Sequence, residues 1–592
     1  MRIDLTENAR RVLDSRYLLK GPSGEVVETP GELFGRVAAA VAAAEDAFGG
    51  PGQASRWMER FLEMLSSLDF LPNSPALSNA GRPRGQLAAC FVLPVEDSLE
   101  EIFDSLKLMA LIQQSGGGTG FSFSHLRPRG DPLAATGGTS SGPVSFMRIF
   151  DCATENIRQG GKRQGANMGI LRVDHPDILE FIEAKADGRS FANFNLSVGI
   201  TDEFLEAALA SRTFALRHPR TGSASGSLDA SDLFSRIARA AWQTGDPGLV
   251  FLDAINRANP TPELGSIEST NPCGEVPLLP YEACVLGSIN LARMVRGGGE
   301  GPSCDWERLG RTVRLAVRFL DDVIEVNHWP SPKIAAMCRG NRKIGLGVMG
   351  FAEMLILLDI PYGSESAVSL AEELARRISE EARGASEELA RERGEFPNWP
   401  GSVHAPGGPP VRNATRISIA PTGTISIVAG TSAGIEPLFA LAYRRENVLD
   451  GQILTEINPL FLRHVRRRIA EPEALLAEID ARGTLAEVPG LPPQTRSLFR
   501  TALELSPEDH LRVQAAFQKH VDNAVSKTIN LPESATADEV RAIYLRAWRL
   551  GLKGITVYRY GSKERQVLRL GSEESAQDYE NFARCDPQAC KL

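Results

Sequence analysis

Asn271-Pro272-Cys273-Gly274-Glu275 brings an amide, a thiol and a carboxylate into one short stretch. Pro272 disfavours a helical conformation at Asn271, and in an extended segment alternate side chains project to one face. Asn271, Cys273 and Glu275 are therefore expected to point the same way. A thiol can supply a hydrogen atom or act as a nucleophile, a carboxylate can take a proton, and an amide can hold a substrate hydroxyl. A turn with a buried cysteine uses the same residue types without chemistry, so the rest of the chain must decide. Pro421-Thr422-Gly423-Thr424-Ile425 follows the alternating run Arg416 to Ala420. Backbone N–H groups and two hydroxyls at such a strand-to-helix turn can receive an anion, although an ordinary βα turn has the same composition. Gly345-Leu346-Gly347-Val348-Met349-Gly350 satisfies a dinucleotide-binding pattern. Arg342 and Lys343 precede it where a buried strand should run, and no acidic residue lies about 20 positions on in a βαβ unit, so these glycines are read as close packing. The eight histidines show no His-Glu-x-x-His or paired Cys/His spacing, and no protein-bound metal is expected.

The elements that must position these groups are those of an ordinary globular chain. It has 592 residues, 42% hydrophobic and 23% charged, with a net charge of -9. That charge gives no general attraction to nucleic acid or anionic membrane, so a phosphorylated substrate needs a local site. The first thirty residues hold charges throughout, no long uncharged apolar run occurs, and eight cysteines are too few for a disulfide scaffold; a cytoplasmic protein is expected. Helical periodicity over Leu33 to Phe48 and Arg56 to Leu68 predicts a helical N-terminal domain, 1–70. From Leu71, short runs such as Phe121 to Phe123, Arg416 to Ala420 and Gly554 to Tyr558 alternate with helical patterns at Leu233 to Trp242, Trp306 to Glu325 and Ser364 to Arg393. This is the rhythm of an α/β domain, taken as 71–570. Residues 571–592 form a polar tail that carries Cys585 and Cys590.

The Asn271 to Glu275 stretch is followed by Tyr281-Glu282-Ala283-Cys284-Val285-Leu286-Gly287-Ser288-Ile289-Asn290-Leu291, and here the sequence resembles the large subunit of ribonucleotide reductases. Pro72-Asn73-Ser74-Pro75, Ser78-Asn79-Ala80-Gly81, Ala89-Cys90 and Gly116-Gly117-Gly118-Thr119-Gly120 match in the same order. The resemblance covers roughly 70–570 and implies a ten-stranded α/β barrel of two parallel five-stranded half-sheets with a central finger loop. It implies that Cys273 is the thiyl radical that abstracts the 3'-hydrogen, that Glu275 takes the 3'-hydroxyl proton and that Asn271 holds the hydroxyls. Cys90 and Cys284 would then reduce the intermediate and be left as a disulfide, for which their Cα atoms must approach within about 7 Å. Ser74, Ala89 and Gly118 match substrate positions. Pro421, Thr422, Gly423, Thr424 and Ile425 match the loop that holds substrate phosphates.

Class I members receive the radical from a second protein through adjacent tyrosines near the C-terminus. Here the matching stretch is Thr556-Val557-Tyr558-Arg559, so the second tyrosine is replaced. With Gln566-Val567-Leu568, this resembles the class II enzymes, which implies adenosylcobalamin as cofactor. The implied activity is reduction of ribonucleotides, expected as diphosphates, to 2'-deoxyribonucleotides. Asp97, Ser98, Leu99 and Arg127 match positions that bind a deoxynucleotide or ATP effector at a homodimer interface, while Lys162 and Arg163 lie in the loop that reports effector identity to the substrate. Cys585 and Cys590 match a redox shuttle between the buried disulfide and thioredoxin or glutaredoxin. Two alternatives stand beside this reading: a class I large subunit that needs a radical-bearing partner, and a nucleotide-binding regulatory barrel without the chemistry.

Overall fold

The computed structural model describes residues 3–133, 137–159, 163–297, 301–449, 452–469, 475–476, 479, 483–485, 488, 490–562 and 568–570. The N-terminal region is helical, with α1 (Glu7–Arg16), α2 (Pro30–Ala42) and α3 (Gln53–Ser66). Thr6 caps α1 by accepting from the Ala9 N–H at 3.1 Å, and Thr29 with Glu32 forms a capping box on α2. Leu33, Phe34, Val37, Ala38 and Val41 recur at helical spacing and are buried, as the periodicity requires.

The strands of the second region are β1 (Phe70–Pro72), β2 (Cys90–Pro94), β3 (Gly118–Ser122), β4 (Asn167–Arg172), β5 (Phe194–Ile200), β6 (Gly248–Phe251), β7 (Ala283–Asn290), β8 (Ile344–Met349), β9 (Thr528–Leu531) and β10 (Gly554–Arg559). β2, β3, β4, β5 and β6 pair in that order, all parallel. β7 and β8 are parallel, β8 is bridged through Leu346 to Ile417, Ile419 is bridged to Val525 just before β9, and β9 and β10 are parallel. The run Arg416 to Ala420 thus supplies the fifth strand of the second half-sheet. Antiparallel seams between β6 and β10 and between β2 and β7 close the two halves into the ten-stranded barrel expected from the sequence. β1 lies outside that ring, antiparallel to the C-terminal part of β7.

Alternation along each strand sorts side chains between two cores. On β2, Phe91 and Leu93 join the outer core under the helices, while Cys90 and Val92 face the barrel interior. On β7, Ala283, Val285 and Ile289 face out and Cys284 and Leu286 face in. The interior is filled by a hairpin, Ser269–Thr270 paired with Pro277–Leu278, whose Val276 and Leu278 pack against Cys90, Val92, Cys284 and Leu286. The glycine-rich approach at β3 makes room for it: a Cβ on Gly118 would stand 2.9 Å from Pro272, and one on Gly120 only 1.7 Å from the Thr270 carbonyl oxygen.

The glycines at Gly345 and Gly347 serve packing, as expected, since added Cβ atoms would meet Leu286 at 2.3 Å and the Ser418 carbonyl at 2.4 Å. The strand, however, does not precede this motif; it is the motif. Arg342 and Lys343 are buried just ahead of it, bonded to Asp321 and Glu282 respectively. Buried charges with partners of this quality are tolerated at a strand entrance, which the hydrophobic pattern could not disclose.

Candidate active site

The tip of the hairpin is a turn. Asn271 donates its N–H to the Val276 carbonyl at 3.2 Å, its Oδ1 accepts from the Val276 N–H at 2.9 Å, and Gly274 donates to the Asn271 carbonyl at 3.0 Å. Gly274 has φ +82°, in the left-handed region that glycine enters without strain. The extended conformation expected for Asn271, Cys273 and Glu275 is therefore corrected: Pro272 excludes helix but not a turn, and Gly274 makes the turn. Convergence survives by another route. Asn271 Nδ2 donates to Cys90 Sγ at 3.0 Å, and Glu275 Oε1 lies 4.0 Å from the same sulfur. Cys273 is exposed on the tip, toward a cavity of about 1210 Å³. Asn195 Nδ2 donates to the Pro272 carbonyl at 2.7 Å, and the Glu275 carbonyl accepts from Ser418 Oγ and the Ala524 N–H, each at 2.9 Å. The finger is thus tied to both half-sheets.

Cys90 and Cys284 stand directly opposite each other across the β2–β7 seam. Opposed residues of an antiparallel pair have Cα atoms about 4.5–5.5 Å apart, within the span of a disulfide. Cys90 borders the cavity, whereas Cys284 is fully buried behind it. Burial, with Glu275 close by, pushes the Cys90 thiol well above its ordinary range. Burial also raises Cys284, against the charge of Lys343. Glu275 is pushed up to about 7, chiefly by burial, while the Asn271 bond works in the other direction. Its Oε2 has no hydrogen-bond partner among the described residues. A carboxylate poised near neutral pH beside an exposed thiol can act as a general base.

The cavity gathers the other expected substrate residues: Ser74, Ala89, Gly118, Pro421, Thr422, Gly423, Thr424 and Ile425 all line it. Thr422 sits at φ +54°, and its Oγ1 accepts from the Gly434 N–H at 2.8 Å, which fixes the loop. Two further residues come from α1 and its end. Tyr17 OH and Ser74 Oγ are 2.8 Å apart, and Arg16 donates to Thr424 Oγ1 at 3.2 Å. Nothing in the sequence around Arg16-Tyr17 distinguishes them from any helix terminus. Glu353, also on the cavity, is buried and accepts from Thr431 Oγ1 at 3.1 Å, the Ser432 N–H at 2.9 Å and Ser432 Oγ; burial raises its pKa despite these bonds.

Of the expected effector residues, Asp97, Ser98, Leu99 and Arg127 lie elsewhere and do not line this cavity. Arg127 pairs with Asp97 at 2.8 Å, and Ser98 caps the helix α4 (Leu99–Gln114), whose first residue Leu99 is 65% exposed. Arg163 falls in a short strand, and Lys162, Cys585 and Cys590 lie outside the described residues. At the end of β10, Arg559 donates to the Trp242 carbonyl at 3.1 Å and stacks over the Trp242 ring at 4.5 Å. No cluster of metal-ligating side chains occurs among the described residues, and none of their helices is long and apolar enough to cross a membrane.

Comparison with known proteins accounts for both the barrel and the finger. The family described as "Ribonucleotide reductase, barrel domain" matches residues 88–411 and 408–558, and "Ribonucleotide reductase, all-alpha domain" matches 3–85. A vitamin B12-dependent ribonucleoside-diphosphate reductase of Mycobacterium tuberculosis is 53% identical over 594 aligned residues, covering 100% of this chain and 83% of the relative. The enzyme of the same name from Thermoplasma acidophilum is 46% identical, over 97% of this chain and 81% of its own. Among solved structures, the class Id ribonucleotide reductase alpha subunit of Actinobacillus ureae superposes with a TM-score of 0.76 at 25% identity, covering 95% of this chain and 99% of that one. The residues at the finger tip and the sheet that surrounds them have the same explanation: the chain belongs to the ribonucleotide reductase family.

Proposed function

We propose that this chain is an adenosylcobalamin-dependent reductase that converts ribonucleoside diphosphates to 2'-deoxyribonucleotides. The observation that carries the reading is the meeting of Cys273, Asn271, Glu275 and Cys90 at one cavity, with Cys284 directly opposite Cys90 and buried behind it. The resemblance to B12-dependent diphosphate reductases gives the cofactor and the form of the substrate. Cys273 removes the 3'-hydrogen, Glu275 accepts the 3'-hydroxyl proton, and Asn271 orients the hydroxyls. Cys90 and Cys284 deliver two electrons and two protons, so that two thiols and a ribonucleotide become one disulfide, one deoxyribonucleotide and one water. Ser74, Ala89 and Gly118 seat the sugar, and Pro421, Thr422, Gly423, Thr424 and Ile425 receive the phosphates with Arg16 beside them.

The cavity is roomier than a nucleotide alone requires. Its volume of about 1210 Å³ exceeds the roughly 300–1,000 Å³ of common ligand pockets. Pro272, next to Cys273 in the chain, and Ala166, Thr528 and Asn530 are small or uncharged residues of the cavity lining, and we assign them to the cofactor face. Adenosylcobalamin, when bound, supplies an organic radical by homolysis of its carbon–cobalt bond. Arg559, locked onto Trp242 where a class I relay needs a second tyrosine, favours this source over a partner subunit.

A homodimer with a deoxynucleotide or ATP effector near Asp97, Ser98, Leu99, Arg127, Lys162 and Arg163 completes the reading, together with a Cys585/Cys590 shuttle to thioredoxin or glutaredoxin. A reducing cytoplasm is the compartment in which such carriers stay reduced. The test is an anaerobic assay of the purified chain with a ribonucleoside diphosphate, a dithiol and adenosylcobalamin. Deoxynucleotide should form with no second protein and should vanish in Cys273→Ser. Product that ignores cobalamin and requires a metal-loaded partner would return the chain to class I.

A further inference from the structure

Lys343 and Glu282 form a fully buried ion pair at 2.6 Å, each 1% exposed, inside the barrel. Glu282 also accepts from Asn341 Nδ2 at 2.5 Å and from the Leu279 N–H at 2.7 Å, so its charge is spread over three donors. Lys343 Nζ, among the described residues, makes only the one bond to Glu282. Two of its three N–H groups are therefore uncommitted. The pair lies against Cys284. Glu282 is two residues before it, on the same face by strand alternation. In the parallel β7–β8 register Val285 faces Ile344, which puts the side chains flanking Ile344, those of Lys343 and position 345, on the face of Cys284. A Cβ at Gly345 would be 3.3 Å from Cys284 Sγ. Cys90 has a different environment, with the Asn271 amide at 3.0 Å and the Glu275 carboxylate at 4.0 Å.

Resting on the proposed role of Cys90 and Cys284 as the reducing couple, we propose that the Lys343–Glu282 pair gives that couple a fixed polarity: Cys90 is the sulfur attacked during re-reduction and Cys284 is the leaving thiolate. The reductant is a dithiol. Its thiolate attacks Cys90 Sγ from the cavity, the Cys90–Cys284 bond breaks, and the electron pair goes to Cys284 Sγ, on the face that Lys343 shares. The second thiol then attacks the mixed disulfide and releases Cys90, and the two protons lost by the dithiol end on the two cysteines. Access selects the same direction, since only Cys90 borders the cavity. A leaving sulfur is expelled faster when its thiolate is stabilised, and Lys343 opposes the effect of burial on Cys284 more strongly than either Glu275 or Glu282 adds to it. Lys343 is thus a positioning residue for the regeneration step.

The experiment uses the full chain in a Cys585→Ser/Cys590→Ser background, oxidised by one anaerobic turnover of pre-reduced holoenzyme. A monothiol, 2-mercaptoethanol, is added, remaining thiols are alkylated in an acid-quenched time course, and both cysteine peptides are mapped by mass spectrometry. The expected result is the mixed disulfide on Cys90 and alkylation on Cys284. In Lys343→Met/Glu282→Gln, which removes both charges together, reduction of the disulfide by dithiothreitol should slow by about tenfold, while Lys343→Arg stays within a few fold of the native rate. A mixed disulfide on Cys284 of the native chain overturns the proposal without any variant at Lys343. So does a native rate in the charge-free variant. Absence of a Cys90–Cys284 disulfide after turnover would instead refute the functional reading on which the proposal rests.

Discussion

Glu275 is held in a place where ionisation is costly, and that cost has a sign. The carboxyl is raised by burial to about 7 from 4.5, so between these values the unfolded chain loses its proton while the folded chain keeps it. Stability then falls as pH rises from about 4.5 to 7 and stays lower above, by on the order of 3 kcal/mol for a shift of this size. Glu275→Gln removes the titration. Its stability relative to the native chain should rise by roughly that amount between pH 4.5 and pH 8, read from melts across the range, and the variant should show no 3'-hydrogen exchange at any pH. A stability difference that does not change with pH would mean that Glu275 ionises freely. At this scale the sequence was informative because residue types carry chemistry: Asn271, Cys273 and Glu275 stand out by kind and spacing, whereas Cys90 and Cys284 are singled out only by the resemblance. The conformation of the first three was not legible, since Pro272 is compatible with a strand or a turn. Arg16 and Tyr17 were invisible because what makes them matter is contact with Ser74 and Thr424, far along the chain.

The finger hairpin is the element on which the site depends, and β3 is the element that seats it. Gly120 approaches the Thr270 carbonyl so closely that a Cβ would stand 1.7 Å from its oxygen. That oxygen is backbone and cannot rotate away, so Gly120→Ala must push the hairpin off the strand. Overpacking of this kind costs about 1–3 kcal/mol. A displacement of about 1 Å at reacting groups can cost on the order of a hundredfold in rate. The expected variant is folded, melts lower and turns over at least that much more slowly; native turnover would show that the finger is not seated on β3. Long helices such as α6 (Trp306–Val326) and α7 (Glu365–Arg393) were legible from apolar spacing alone. The hairpin was not, because strands of two residues have no period to read. β8 was hidden for a related reason. Its glycines imitate a nucleotide loop, whereas their place in the fold is set by Leu286 and the Ser418 carbonyl.

Over the whole molecule, ion pairs join the helical region to the barrel: Glu45 meets Arg318 at 2.5 Å and Arg393 at 2.7 Å, and Arg393 is itself held within the barrel region by Asp321 at 3.0 Å. Several apolar side chains on two neighbouring helices stay exposed. On α4, Leu99, Phe103 and Leu111 are 65%, 49% and 44% exposed, and Ile149 on the adjacent α5 (Pro143–Asn156) is 37% exposed. An apolar face of this kind is the usual mark of an interface. The proposed homodimer would cover it with the same face of a second chain, since a two-fold interface buries one patch against itself. Asp97 and Ser98 stand at the start of the same helix, with Arg127 paired to Asp97, so an effector bound there would rest on the interface. Charge placed in the face should separate the chains, because a carboxylate opposed to its own symmetry mate is desolvated without a partner. The native chain is expected to sediment at twice its 64.1 kDa mass, and Phe103→Asp/Leu111→Asp at the mass of one chain. Its unstimulated ribonucleotide reduction should persist while the effector's influence on substrate choice disappears. A native chain that sediments as a monomer at micromolar concentration, yet still changes substrate preference with effector, would place regulation within a single chain and leave the face on α4 and α5 without that role.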